Sequence, residues 1–324
     1  MATSLRSPAS RTRFVPLALA WIAAYAVVRL VWQVSGAPSD MSATGGDLVV
    51  FSGWWGCGLC AAAFGVVVAL ARLRGRVVVA AGWAVAAALL AASALLLLDV
   101  VAAILPGLGI EFRPVGALSR AVCAGAGLLV GRVTLERARR RPAGALARTP
   151  GRAYAAAYLA VAGCLTRIGA QAWVGLDATP LPSNTSVIVF EAGFLLGGLL
   201  LPLSLVHRWG RVWPRWVPFA AGRPVPRRLP LWPATAVSAG LVVYFGLMTL
   251  LMIWERLNGR DPFPPEGGLD LPEAFFWISV PAYLVWGLGL AVAARAYARR
   301  TRVQVSAQEG AGASRAKGRP RGTV

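Results

Sequence analysis

Apolar residues run in long blocks along this chain, near residues 14–34, 49–71, 77–104, 115–134, 153–175, 186–206, 231–254 and 274–295. Each block reaches roughly the 20 residues that a helix needs to cross a hydrocarbon core of ~30 Å. Proline, glycine or charge separates each from the next. The pattern predicts an all-α integral membrane protein with about eight transmembrane helices. The third block is long enough to tilt, and the fourth carries Arg120 inside it.

Composition agrees with lipid as the solvent. Of 324 residues, 57% are hydrophobic and 14% charged, and the mean hydropathy is +0.62; a soluble globular domain has neither balance. The net charge of +20 raises nucleic acid as a partner. Basic residues that read nucleic acid gather on one soluble face, whereas here they are divided among short segments between apolar blocks, so no nucleic acid is expected. Lys317 is the one lysine among 33 basic residues, a bias that reads as a GC-rich genome rather than as chemistry.

Those short segments fix an orientation, because Arg-rich loops stay in the cytoplasm. Arg6, Arg11 and Arg13 precede the first span; Arg72, Arg74 and Arg76 join spans two and three; Arg132 to Arg152 join four and five. Arg208, Arg211, Arg215, Arg223, Arg227 and Arg228 join six and seven, and Arg295 to Arg321 follow span eight. The alternate loops carry Asp40, Asp47, Glu111, Asp177, Asp261, Glu266, Asp270 and Glu273 with few arginines. Both termini are therefore expected in the cytoplasm and the chain in the cytoplasmic membrane. The first span is long for a secretory signal and contains Arg29, so it is read as a retained helix.

The organisation expected is a cytoplasmic segment 1–13, a first four-helix half 14–134, an Arg-rich cytoplasmic linker 135–152 and a second half 153–295 with a cytoplasmic loop 207–230. A basic tail 296–324, poor in apolar residues, is expected to be disordered. The halves echo one another. "VVRLVWQVSG" and "LTRIGAQAWVG" each place one arginine late in a first helix, and "LARLRGRV" and "LVHRWGRV" each end a second helix in a basic corner. An even number of helices per half would make such a repeat parallel.

The loop "HRWGRVWPRWVPFAAGRPVPRRLPLWP" interleaves Trp209, Trp213, Trp216 and Trp232 with arginine and proline. Tryptophan prefers the headgroup level and basic residues are drawn to anionic lipid, so the expected partners are the bilayer and the anionic lipids of its inner leaflet. The alternative is a docking surface for a partner or for nucleic acid. Through "RWG..WPRWVP..AGR.VP" the second half resembles multi-pass membrane proteins of unknown function from actinobacteria. That resemblance implies a membrane protein and brings no activity with it.

Catalytic motifs are sparse. His207 is the single histidine, so neither bis-histidine haem ligation nor a histidine-based metal site can be assembled, and no cofactor is expected. Cys57 and Cys60 form C-x-x-C in the second span. As a dithiol they would do redox work; as small buried residues they would only pack. Helical i, i+3 spacing favours packing, since the Cβ atoms lie ~5 to 6 Å apart and a disulfide prefers ~3.8 Å. Asp40 and Asp47 are placed like the loop aspartates of membrane glycosyltransferases, the basis of an alternative reading as lipid-linked group transfer. A structural or assembly role is a third class.

Six ionisable residues inside the spans remain: Arg29, Asp99, Arg120, Arg167, Glu191 and Glu255. All fall in the half of the membrane away from the Arg-rich loops. Arginine can snorkel along its stem, but aspartate reaches less far and costs ~3 kcal/mol in hydrocarbon. Arg29 is therefore expected to face the bundle and pair with an acid, Asp99 in the first instance. The functional reading is an outer-facing polar cavity that uses these residues, Arg29 and Arg167 above all, to bind or transport a polar or anionic small molecule.

Overall fold

The computed structural model describes residues 14–38, 41, 47–73, 75–138, 149–175, 184–215, 221–263 and 271–317, with side chains described as far as Thr301. Asp40, linker residues 139–148, Asp177, Trp216, Glu266 and Asp270 lie outside them, as do the first 13 residues. Described residues are helical, apart from loops and an isolated antiparallel bridge between Val212 and Pro224.

The elements follow the apolar blocks closely: α1 (Phe14–Ser35), α2 (Trp54–Arg72), α3 (Arg76–Ala92), α4 (Leu96–Ile104), α5 (Pro114–Ala138), α6 (Gly151–Val174), α7 (Thr185–Leu195), α8 (Leu201–Val206), α9 (Arg228–Leu257) and α10 (Glu273–Lys317). Among the described residues, seven helical stretches are long and apolar enough to cross a membrane. One of them, Thr185–Val206, runs from α7 through a π-turn at Leu196–Leu200 into α8. The third block, expected as one tilted helix over 77–104, is instead α3 and α4, bent by 43° and together passing as an eighth span. The break lies at Ser93, whose hydroxyl donates to the Leu90 carbonyl at 2.9 Å, while the freed Ala92 carbonyl accepts the Val49 amide at 3.0 Å. A side-chain donor and a loop amide thus take over carbonyls that helix continuation would have used.

Two compact units divide the chain, Met1–Pro142 and Ala143–Val324. In unit one, α1 packs on α2, α2 on α3, α3 on α5, and α5 back on α1. The seam is built from Ala18, Ile22 and Tyr25 on α1, Ala63, Val67 and Leu70 on α2, Ala86 and Leu89 on α3, and Cys123, Ala126 and Val130 on α5, all buried. In unit two the ring is α6, α8, α9 and α10, and small residues let backbones approach: a Cβ on Gly163 would meet the backbone of Ala282 and Trp286, and one on Gly289 the backbone of Ala156 and Ala160. Small residues at helix contacts are how bundles pack when lipid provides no hydrophobic drive between helices. The outward faces keep large apolar side chains exposed, among them Leu17, Val27, Leu128, Leu159, Ile188 and Leu250, as a surface solvated by acyl chains requires.

The packed part of α10 extends past the expected boundary of the tail at 296. Tyr297, Arg300 and Thr301 are buried, and Thr301 donates to the Tyr297 carbonyl at 2.9 Å. Composition marks the end of the apolar block; the last packed turn is set by what faces it.

Candidate functional site

At the end of unit one where α1 finishes and α2 and α5 begin, four elements deliver charge to one buried point. Helical spacing puts Tyr25, Arg29, Trp32 and Gln33 on one side of α1. Across from it, α2 presents Gly56, where a side chain would collide with the Arg29 guanidinium; the missing Cβ is what lets Arg29 lie flat against α2. α5 contributes the adjacent Ser119 and Arg120, α4 contributes Asp99, and the segment before α2 contributes Asp47.

Arg29 forms a buried ion pair with Asp47, the two side chains being 5% and 7% exposed. The same Asp47 oxygen accepts the Ser119 hydroxyl at 2.5 Å, and Ser119 is joined to the Tyr25 hydroxyl at 3.0 Å. Arg120 grips Asp99 with two parallel bonds, Nε to Oδ2 at 2.5 Å and Nη2 to Oδ1 at 2.7 Å, and donates from Nη1 to the Asp47 carbonyl at 3.0 Å. Such forked pairs are the strongest hydrogen bonds a carboxylate makes. Two cations and two anions thus form one balanced network across α1, α4, α5 and the loop. The sequence-based pairing of Arg29 with Asp99 is corrected: Asp99 belongs to Arg120, one turn or so along the bundle end, and the loop residue Asp47 belongs to Arg29.

Backbone bonds shape the loop before α2. Phe51 donates to the Val49 carbonyl at 2.8 Å, closing a γ-turn around Val50, whose φ of 66° is rare for a β-branched residue. Beside this loop opens a cavity of about 310 Å³ lined by Arg29, Trp32, Gln33, Met41, Asp47 and Ser52, with Ala37 and Gly53. Its size is at the small end of ligand pockets, and its wall offers a cation, an anion, an amide, a hydroxyl and an indole.

The remaining candidates are not drawn together. Arg167 donates to Gln171 at 2.9 Å and lies over the rings of Phe275 and Tyr283, 5.1 and 5.6 Å from their centroids. It is stabilised by aromatic faces rather than by an acid. Glu255 pairs with Arg260 at 2.8 Å near the surface. Glu191 is exposed and has no ion pair among the described residues. Arg167, Glu191 and Glu255 lie in unit two and Arg29, Asp99 and Arg120 in unit one, so each unit carries its own set.

Cys57 and Cys60 are free thiols, the first half-buried and the second buried. His207 meets Tyr158 at 3.2 Å and the ring of Tyr154 edge-on. No group of acids, cysteines or histidine among the described residues could hold a metal ion. Ser119, Tyr25 and Gly56 escaped sequence reasoning. The legible signal was Ser119 next to an intramembrane arginine; nothing local marks a glycine as the seat of a guanidinium.

The described residues form an all-helical chain in two bundles, one of them enclosing paired charge, with seven to eight spans compatible with a multi-pass membrane protein. Compared with known protein families, curated proteins and solved structures, the chain matches none.

Proposed function

We propose that unit one binds a small polar molecule, neutral or zwitterionic, in the cavity beside the Arg29–Asp47 pair. The observation that carries this reading is the balanced network itself, opening into a cavity whose wall includes both members of the pair. An acceptor group of the ligand faces Arg29 and a donor faces Asp47, while Gln33 and Ser52 take hydroxyls or amides and Trp32 flanks an apolar part. A free anion suits the site less well, because both arginines already have carboxylates. Transport follows as the wider role if the bound molecule is passed on through the bundle.

The Arg-rich loops support an orientation with both termini in the cytoplasm of a cell limited by this membrane, which turns the cavity outward. The Trp/Arg/Pro loop 207–230 then lies on the inner leaflet and attracts its anionic lipids. Binding is tested on purified protein in detergent by thermal shift and calorimetry, with panels of amino acids, sugars and small carboxylates. A zwitterion or sugar should raise the melting temperature of wild type and not of Ser52→Trp, which fills the exposed rim while leaving the ion pairs intact. A shift that Ser52→Trp leaves unchanged, or none with any compound, overturns the reading.

The two units are further proposed to be parallel repeats. Buried positions correspond with one offset per span: Ala18, Ile22 and Tyr25 with Ala156, Ala160 and Gly163; Ala63, Val67 and Leu70 with Gly198, Pro202 and Leu205. Gly82, Ala86 and Leu89 likewise correspond to Ala234, Ser238 and Leu241, and Cys123, Ala126 and Val130 to Trp286, Gly289 and Ala293. The register is supported by chemistry as well as burial. Arg137 donates to the Leu70 and Ala71 carbonyls at 2.5 and 2.7 Å, and Arg300, at the matching place, donates to the Leu205 carbonyl at 3.1 Å. An experimental structure in which the units superpose only with these spans out of step would refute duplication.

A further inference from the structure

The basic end of unit two contains an arrangement that its counterpart in unit one lacks. Arg300 is 5% exposed and uses only Nη2, on the Leu205 carbonyl; its Nε and Nη1 have no hydrogen-bond partner among the described residues. Arg211 follows Gly210, whose carbonyl Tyr297 holds, and Arg227 reaches the carbonyl of Ala298, so both stand beside the turn of α10 that carries Arg300, and each has an unpartnered buried Nε. Arg227 is fixed by a bond to the Ala298 carbonyl at 3.1 Å. Arg211 is fixed through its own carbonyl, which accepts the Val225 amide at 2.8 Å. Tyr297 braces the turn between them by donating to the Gly210 carbonyl at 3.4 Å.

Among the residues of unit two whose side chains are described, no acid answers these three cations: the carboxylates are Glu191, Glu255, Asp261 and Glu273, and Glu255 and Glu273 already hold Arg260 and Arg256. All four lie toward the opposite ends of the spans. In unit one the equivalent Arg137 uses Nε and Nη2 on two carbonyls. A buried guanidinium with two half-buried ones beside it and no counter-ion is costly, and the group that satisfies several forks at once is a phosphate.

Beside the cluster is an apolar groove of about 810 Å³ between the α7–α8 stretch and the start of α9. Leu196, Leu200, Trp209, Trp213, Leu229 and Pro230 line it, and Gly210, the residue that Tyr297 braces, forms part of its wall. Ser204 also lines it, with its hydroxyl already given to the Leu201 carbonyl at 2.7 Å. Gly193 and Gly197 leave one side open where bulkier residues would close it. Apolar space adjoining uncompensated arginine, at the end of membrane-crossing helices, matches one kind of molecule.

We infer that unit two holds one anionic phospholipid, its phosphate among Arg211, Arg227 and Arg300 and an acyl chain in the groove. This narrows the surface attraction proposed for loop 207–230 to a single site, and it is independent of the cavity in unit one. The test is native mass spectrometry of the full chain in detergent, titrated with dioctanoyl phosphatidylglycerol, dioctanoyl phosphatidylcholine or inorganic phosphate. Wild type should take up one phosphatidylglycerol per chain in preference to the choline lipid. Arg211→Gln/Arg227→Gln should bind it about tenfold more weakly or worse, whereas Arg223→Gln/Arg228→Gln, which removes equal charge from exposed positions, should cost less than about threefold, because salt screens exposed charges that do not touch the phosphate. Leu200→Trp, which fills the groove and keeps every charge, should weaken the lipid and leave inorganic phosphate unaffected. Equal losses in the two double variants would show diffuse attraction of the loop to a charged surface and sink the site. Inorganic phosphate bound as tightly as the lipid, or the choline lipid bound as well as the glycerol lipid, would likewise overturn it.

Discussion

Replacing Arg29 by leucine removes one member of a buried pair and leaves Asp47 charged in a place that water hardly reaches. Breaking such a pair costs ~3 to 5 kcal/mol, most of it the price of the stranded partner. Asp47 keeps the Ser119 hydroxyl at 2.5 Å and has Arg120 on its own carbonyl, so Arg29→Leu belongs near ~3 kcal/mol, the lower end of that range. Asp47→Leu should cost more, ~4 kcal/mol, because Arg29 is left with the Tyr25 ring 6.0 Å away and a long contact to the Gly53 carbonyl at 3.5 Å. The double variant strands neither charge, and Tyr25 and Ser119 remain bonded to each other, so ~1 to 2 kcal/mol is expected. Arg29 and Asp47 should therefore couple by ~3 kcal/mol or more, while Arg29 and Asp99, linked only through Arg120 and the Asp47 carbonyl, should couple by ~1 kcal/mol or less. Equilibrium unfolding of the purified chain in mixed micelles, with SDS as denaturant, measures all of these. Coupling of Arg29 to Asp99 as large as that to Asp47, or no loss in Arg29→Leu, would refute the network and with it the cavity built on it.

Gly56→Ala should destabilise by ~1 to 3 kcal/mol, because the new methyl group meets the Arg29 guanidinium, whereas Gly58→Ala, with nothing within 4 Å of its Cβ, should be neutral or slightly stabilising; the same unfolding assay ranks them. Replacing both Cys57 and Cys60 with alanine should cost no more than ~1 kcal/mol and leave ligand binding intact, and a reversible Cys57–Cys60 disulfide seen by mass spectrometry would favour the redox alternative instead. Reporters active only in the cytoplasm should work when fused after Arg76, Arg148, Arg223 or Arg302 and fail within 261–270; a cytoplasmic result in that acidic loop would overturn the orientation.

Seven apolar spans, with the bent third block as an eighth, and their approximate ends were written in the sequence, because hydrocarbon admits few charges and demands satisfied backbone, so a run of apolar residues is nearly a statement of structure. The boundaries of α1, α5, α6 and α9 fall within a few residues of the apolar blocks for that reason. The same logic flagged Arg29, Asp99 and Arg120 as residues that need partners, since a charge in a span is unusual wherever it points. Which partner each takes was decided only in three dimensions. Asp47 stands outside the apolar blocks and reads as an ordinary loop acid, yet the γ-turn at Val50 and the break at Ser93 carry it under α1. The seat for Arg29 is an absence, the side chain that Gly56 lacks, and an absence has no local signature among 36 glycines. In unit two, Arg211, Arg227 and Arg300 are three ordinary members of a basic composition; only the pairing of Arg211 with Val225 and the last packed turn of α10 bring them around one tyrosine. Hydropathy is a property of each segment and survives without neighbours, whereas ion pairing depends on which segments meet, and that is settled by packing.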